Sequence, residues 1–180
     1  MKGYIEVYTG DGKGKTTAAI GLAVRAVGAG KKVCFIQFMK SLAYSEQKIL
    51  QGLPGLTLIT LGKPYFIAKE GMLSEEEIKA WGSALRVYPA GHPPKEYRDM
   101  VLKGIEDAVK AVSKGYDLVV LDEYNMAYWY DLATEEDTKR ILAARSPDCE
   151  LVFTGRNAPK IILDAADLVT EMKKIRHYYD

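Results

Sequence analysis

The sequence predicts an α/β fold, a mostly parallel β-sheet with helices on both faces. Three observations carry this. The run Lys32-Val33-Cys34-Phe35-Ile36-Gln37-Phe38 and the run Leu118-Val119-Val120-Leu121 are continuously apolar, as strands covered on both faces must be. Such runs alternate with segments whose apolar residues recur at helical spacing, and that alternation yields parallel strands joined by helical crossovers. The chain also opens on a strand, a glycine-rich turn and a helix in immediate succession.

In order, Tyr4-Ile5-Glu6-Val7-Tyr8 alternates and reads as the first strand. A helix from Lys15 to about Ala29 follows, ended by Gly28 and Gly30. After the second strand, Tyr44 to Leu50 predicts a short helix and Leu56 to Leu61 a third strand. From Gly62 to Pro94 glycines and prolines break the pattern. Within it, Ser74-Glu75-Glu76-Glu77 is a capping box that opens a helix through about Leu85. This segment is either a substrate-recognition insertion in an otherwise single domain or an ordinary surface insertion. Glu96 to Lys114 is helical by the spacing of Met100, Val101, Ile105, Ala108 and Val112. A strand over Asp117 to Glu123, a helix over Glu135 to Arg145, a strand over Glu150 to Thr154, a helix over Ala158 to Ala165 and a strand over Leu168 to Met172 complete the chain.

Between the first strand and helix lies Thr9-Gly10-Asp11-Gly12-Lys13-Gly14-Lys15-Thr16. Glycines permit positive φ and leave no Cβ between the backbone N–H groups and an anion. With the positive end of the following helix, those groups form a nest for phosphate oxygens. Lys15 would reach the terminal phosphates, and the Thr16 hydroxyl would bind magnesium. The motif is a phosphate loop in its required context, and it places the fold in the P-loop NTPase, RecA-like architecture. Thr9 stands where the usual pattern has a glycine.

Asp122 and Glu123 end an apolar strand, where ligands of such folds bind. Asp122 is the candidate for holding magnesium or its water shell. Glu123 either orients a metal-bound water or serves the substrate. Arg156, after Thr154-Gly155, is placed to contact phosphate or ribose, or else is a surface arginine on a turn. Tyr124, Tyr128, Trp129 and Tyr130 crowd behind the acidic strand end, as core or as a flat wall for a planar ligand. His92 and His177 lack metal-ligand spacing, and no serine–histidine–acid set can be assembled. The chain brings no covalent nucleophile, so a second bound molecule would have to attack the nucleotide.

Composition narrows the classes. With 25 basic and 24 acidic residues in 180, the chain does not suit a dedicated nucleic-acid or polybasic membrane binder. No apolar run is long enough to span a bilayer. A strand starts almost at the first residue, so no signal peptide is expected. Cys34 and Cys149 lie in apolar runs and read as reduced core thiols of a cytoplasmic protein.

The motifs together resemble ATP:cob(I)alamin (corrinoid) adenosyltransferases of the phosphate-loop type. The resemblance rests on Tyr8 to Ala19, Ile36-Gln37-Phe38-Met39-Lys40 and Leu121-Asp122-Glu123-Tyr124-Asn125-Met126-Ala127 with Tyr130. It continues through Thr154-Gly155-Arg156-Asn157-Ala158-Pro159 and Ala166 to Met172, then His177, Tyr179 and Asp180. These blocks keep the family's order, and Thr at position 9 is the family's own residue. The resemblance implies that cob(I)alamin or another reduced corrinoid attacks the 5′ carbon of ATP and triphosphate leaves. It implies a nucleotide lying reversed in its loop relative to kinases. It implies nucleotide contacts from Thr9, Gly10, Asp11, Gly12, Lys13, Gly14, Lys15, Thr16, Thr17, Lys40, Asn125 and Arg156. Lys15, Glu123 and Arg156 would act in the transfer, and Thr16 and Asp122 would hold Mg2+. It also implies apolar aromatic side chains that remove the lower axial ligand of cobalt, a homodimer, and a flavin-type reductase as electron donor. Where the family has a Phe-Thr-Trp type segment, this chain has Gly62-Lys63-Pro64-Tyr65-Phe66-Ile67, so Tyr65 and Phe66 are the aromatics at hand. A RecA-like ATPase acting on a macromolecule and a small-molecule kinase are the alternatives. The kinase would need a basic lid that Lys63 to Lys79 does not obviously supply.

Overall fold

The computed structural model describes residues 2–41 and 44–176. Its elements are β1 (Ile5–Thr9), α1 (Lys15–Gly28), β2 (Val33–Phe38), α2 (Ser45–Gln51), β3 (Leu56–Leu61), β4 (Phe66–Lys69), α3 (Glu75–Trp81), a 3₁₀ turn (Gly82–Ala84) and β5 (Leu85–Tyr88). They continue with α4 (Lys95–Ser113), β6 (Leu118–Asp122), α5 (Tyr124–Trp129), α6 (Glu135–Ala144), β7 (Glu150–Thr154), α7 (Lys160–Ala165) and β8 (Leu168–Glu171). Of the residues that carry the resemblance, His177, Tyr179 and Asp180 lie outside the described residues.

Six strands form one sheet in the order β3-β2-β6-β7-β1-β8, and every neighbouring pair is parallel. All six residues of β2 and all five of β6 are buried, the polar Gln37 and Asp122 near their carboxyl ends among them, as befits strands covered on both faces. On one face Tyr8, Val33, Phe35, Val120 and Val152 pack against Ala19 and Ala23 of α1, whose small side chains let the helix come close. On the other face Val7, Ile36, Phe38, Leu121 and Phe153 join Val101, Ile105 and Val112 of α4, Ile141 of α6 and Ile162 of α7. The exit of β1 and those of β2, β6 and β7 therefore open at one edge of a rigid slab.

The segment from Gly62 to Pro94 departs from its sequence reading. The helix predicted through Leu85 ends at Trp81, where Gly82 adopts φ 53°, and Leu85–Tyr88 is a strand paired in parallel with Phe66–Lys69. Helix α3 buries none of its residues. Its capping box supports it: Ser74 Oγ accepts from the Glu77 N–H (3.2 Å) and the Ser74 N–H donates to Glu77 Oε2 (2.8 Å).

Two smaller departures lie near the sheet's mouth. Tyr124 opens a short helix, α5, that the pattern does not announce. It starts from Glu123 in the left-handed region at φ 61°. The helix predicted from Ala158 begins at Lys160, after Pro159 in an extended conformation. Among the crowded aromatics, Tyr124 is core. It lies fully buried between the Phe38 ring (5.3 Å, edge-on) and the Phe153 ring (5.4 Å), whereas Trp129 is exposed.

Candidate active site

The glycine-rich loop runs from the end of β1 to the start of α1, and it is held from behind by the exit of β8. The Met172 N–H donates to Thr9 O (2.8 Å), and the Gly12 N–H donates to Met172 O (2.6 Å). Gly10 and Gly14 have φ of 94° and 125°, which side chains rarely adopt. Gly12 is different. Its φ is ordinary, but a Cβ there would lie 2.6 Å from Met172 O and 2.7 Å from Lys173 O. Its glycine is thus required by close approach of the chain's own backbone, which the loop sequence alone does not show.

Lys15 is 8 % exposed, and its ammonium donates to Gly10 O (2.6 Å) and Gly12 O (2.7 Å). Burial lowers its pKa and the Arg156 charge adds to that, against the pull of Glu123 and Asp11.

Asp122 is fully buried at the end of β6 and collects four hydrogen bonds. Thr16 Oγ1 (2.9 Å) and Thr154 Oγ1 (2.6 Å) donate to its Oδ1, while Lys40 Nζ (2.8 Å) and Gln37 Nε2 (3.2 Å) donate to its Oδ2. Lys40 also donates to Thr16 Oγ1 (3.1 Å). Gln37 is itself fixed, because its Oε1 accepts from Gln47 Nε2 of α2 (2.9 Å). Gln37 and Thr154 were not singled out as site residues. Their signal is a polar side chain within an otherwise apolar strand, and they meet Asp122 because β2 and β7 flank β6.

Glu123 follows with its N–H donating to Thr154 Oγ1 (3.0 Å). Burial raises the pKa of its carboxyl and the Asp122 charge raises it further, with Lys40, Lys15 and Arg156 opposing. Arg156 is half exposed, with its Nε 3.9 Å from Asp11 Oδ1. Asn125 is fully buried. Its Nδ2 donates to Gly155 O (3.0 Å), which braces the turn that carries Arg156, and its Oδ1 has no hydrogen-bond partner among the described residues.

Together these groups surround an open cavity of about 560 Å³, lined by residues 11–17 with Lys40, Tyr44, Glu123, Met126 and Arg156. Of the sequence-predicted residues, Asp11 to Thr17, Lys40, Glu123 and Arg156 are on its wall. Thr9 and Gly10 support the loop, and Asp122 and Asn125 stand behind the wall and hold Thr16, Lys40 and Gly155 in place. His92 is exposed, with its Nδ1 3.2 Å from Ala90 O. Both thiols are buried and burial pushes them up, to about 12 for Cys34 and about 11 for Cys149, so neither is an activated nucleophile. Among the described residues, no cluster of three or more His, Cys, Asp and Glu is arranged for a metal. A cation at Thr16 and Asp122 would need further oxygens from its ligand. Nor is any described helix long and apolar enough to cross a membrane.

Residues 1–180 match the sequence model of a family described as ATP:corrinoid adenosyltransferase BtuR/CobO/CobP. The chain is similar to corrinoid adenosyltransferase CobA of Salmonella typhimurium (strain LT2), at 32% identity over 179 residues, 99% of this chain and 81% of the relative. It is 31% identical to corrinoid adenosyltransferase of Escherichia coli (strain K12) over the same shares. With corrinoid adenosyltransferase of Sinorhizobium sp it shares 33% identity over 181 residues, 98% of this chain and 74% of the relative.

Proposed function

The chain belongs to the ATP:corrinoid adenosyltransferase family, and we propose that it transfers the 5′-deoxyadenosyl group of ATP to the cobalt of a reduced corrinoid by gripping the triphosphate as a leaving group. The observation that carries this is the placement of Lys15, Lys40 and Arg156 around one cavity walled by the glycine-rich loop. The cobalt(I) electron pair forms the bond to C5′, the C5′–O bond breaks, and its electrons leave with triphosphate. Lys15 leaves its two loop carbonyls for phosphate oxygens, and Arg156 and Lys40 close on the same charge. Alignment of the reacting atoms supplies much of the remainder.

Thr16 and Asp122 suit a hard divalent cation, since they offer a hydroxyl and a carboxylate and already share a positive charge, the Lys40 ammonium. Bound there with the nucleotide, Mg2+ would neutralise charge on the departing triphosphate. Glu123, on the cavity wall beside Lys15 and Arg156, orients the metal's water or the substrate. Asn125 contributes by holding the Gly155 turn.

The segment from Gly62 to Pro94 is the corrinoid-recognition insertion in this reading. Tyr65 is committed elsewhere: the Arg86 guanidinium lies 3.9 Å from its ring centroid, and its hydroxyl donates to Glu96 (2.8 Å). Phe66 is 53% exposed and its ring lies 4.9 Å from that of Trp81, tilted by 60° to it and also exposed, which makes this pair the apolar surface for the lower corrinoid face. A homodimer, a cytoplasmic setting with a flavin-type reductase, and reduced thiols complete the proposal. The test is product identity. Magnesium-ATP and chemically reduced cob(I)alamin should yield adenosylcobalamin and triphosphate in equal amounts. ADP and phosphate as the products would overturn it.

A further inference from the structure

We propose that the Lys40 ammonium is a built-in placeholder for the metal ion, seated on Thr16 and Asp122 until a metal–nucleotide complex displaces it. The inference rests on the reading of Thr16 and Asp122 as metal-holding groups and goes beyond it by assigning a competitor within the chain.

Asp122 is a buried carboxylate, and a buried charge without a counter-charge is costly. Its hydroxyl and amide partners are neutral, so Lys40 is the cation in direct contact with it, at 2.8 Å. The same ammonium occupies the Thr16 oxygen at 3.1 Å, while the Thr16 proton is given to Asp122. Lys40 therefore uses the oxygens that a divalent ion would need, one from each residue. Two cations cannot share them, because metal–oxygen distances of about 2.1 Å would bring the charges almost into contact.

The exchange is confined to the side chain. Met39 precedes Lys40 at φ 58°, an uncommon conformation for a non-glycine residue. On the other side a Cβ at Gly62 would sit 2.2 Å from Lys40 C and from Ser41 N, so the glycine admits this backbone at a fixed place. With its main chain held and its stem on the cavity wall, Lys40 is seated closest to Asp122 without nucleotide and turns to phosphate with it. Glu46 Oε1, 3.9 Å from Nζ, and the Tyr44 ring, 5.5 Å away, flank the path. The consequence is an order of binding. Free metal competes poorly with a tethered ammonium, whereas a nucleotide brings both the metal and a new partner for Lys40.

The test is Mn2+ binding to the whole chain, followed by electron paramagnetic resonance, for wild type and Lys40→Met. Without nucleotide, Lys40→Met should bind Mn2+ about tenfold or more tightly than wild type, because one adjacent positive charge is gone. Its melting temperature should start lower and be restored by the ion alone. Equal affinities without nucleotide, with both proteins binding Mn2+ once a non-reacting ATP analogue is present, overturn the placeholder and leave the metal site standing. No Mn2+ binding by wild type even with the analogue removes the metal site itself. If Lys40→Met does not fold, Lys40→Gln keeps a donor for Asp122 and is measured in the same way. Wild type alone also decides. Metal without nucleotide should leave its melting temperature unchanged, and stabilisation by metal alone would sink the proposal.

Discussion

The mouth of the six-stranded sheet and the two-stranded sheet beside it are built on opposite terms. At the mouth, buried polar groups are tied to one another: Asp122 takes four hydrogen bonds, and each donor comes from a different element or loop. In the β4–β5 unit, α3 buries nothing, and Phe66, Met72, Trp81 and Val87 are all exposed. That unit meets the rest of the chain through Ile67 and Tyr88 in the main core, the Arg86–Glu96 pair and a set of defined polar contacts. Tyr88 Oη donates to Tyr130 O (2.6 Å), Lys69 pairs with Asp131 (3.0 Å), and the Gly91 N–H donates to Asp131 Oδ2 (2.9 Å). Under the proposed function, the preorganised network stands where charge would develop, and the exposed apolar area where a large flat substrate would be met.

The strongest way to break this contrast is Lys15→Ala. Loss of the cation that sits on the loop carbonyls should lower adenosyl transfer by about 10²- to 10³-fold or more, with circular dichroism unchanged. A variant with normal turnover would show that the nest is not where the leaving group sits. Next comes Phe66→Ala. It should raise KM for corrinoid by about tenfold, as expected for loss of one aromatic contact, and leave KM for ATP alone. If ATP were affected equally, the two regions would not divide the substrates between them.

Glu123→Gln sharpens the comparison at the mouth itself, because stability and function should move in opposite directions. The folded protein holds the Glu123 proton more tightly than an unfolded chain with its ordinary value of 4.5, so stability falls as pH rises from that value through the elevated one. Glutamine removes this loss. The variant should melt above wild type at pH 7, and the gain should vanish as pH drops below the ordinary carboxyl range. Adenosyl transfer should meanwhile fall. A variant that melts below wild type at pH 7 would mean that the ionised carboxylate is favoured where it stands.

The same division governs how much was legible in the sequence. The phosphate loop, the helix after it and the acid at Asp122 follow from fixed spacing and from apolar runs that only a parallel sheet can bury. Gln37 and Thr154 were visible as polar residues in apolar strands. Their convergence on Asp122 depends on strand order, which no local pattern encodes. The role of Gly12 was hidden for a related reason: its neighbour Met172 lies 160 positions later in the numbering. Helix α5 starts from Glu123 in a left-handed conformation that propensity does not anticipate. Strands β4 and β5 have four residues each, too few for a period to emerge between Pro64, Gly71, Gly82 and Pro89.

The smallest predicted effect concerns the seam between the regions. Tyr88 is almost fully buried, and its hydroxyl reaches across to the Tyr130 carbonyl just past α5, the helix that Glu123 begins. Tyr88→Phe keeps the ring and its packing but leaves that carbonyl without its donor, a loss of about 1–2 kcal/mol in a two-state denaturation. Because Lys69 and Gly91 still bind Asp131 one residue along, the β4–β5 unit should stay attached. Its position against α5 would be set less tightly, and KM for corrinoid should rise a few-fold. Binding of ATP should not change, since the bonds described for Lys15 run to Gly10 and Gly12 and those of Asp122 come from Thr16, Gln37, Lys40 and Thr154, all away from this seam. Weakened ATP binding in Tyr88→Phe, measured by titration calorimetry, would join the two regions into one cooperative unit through α5.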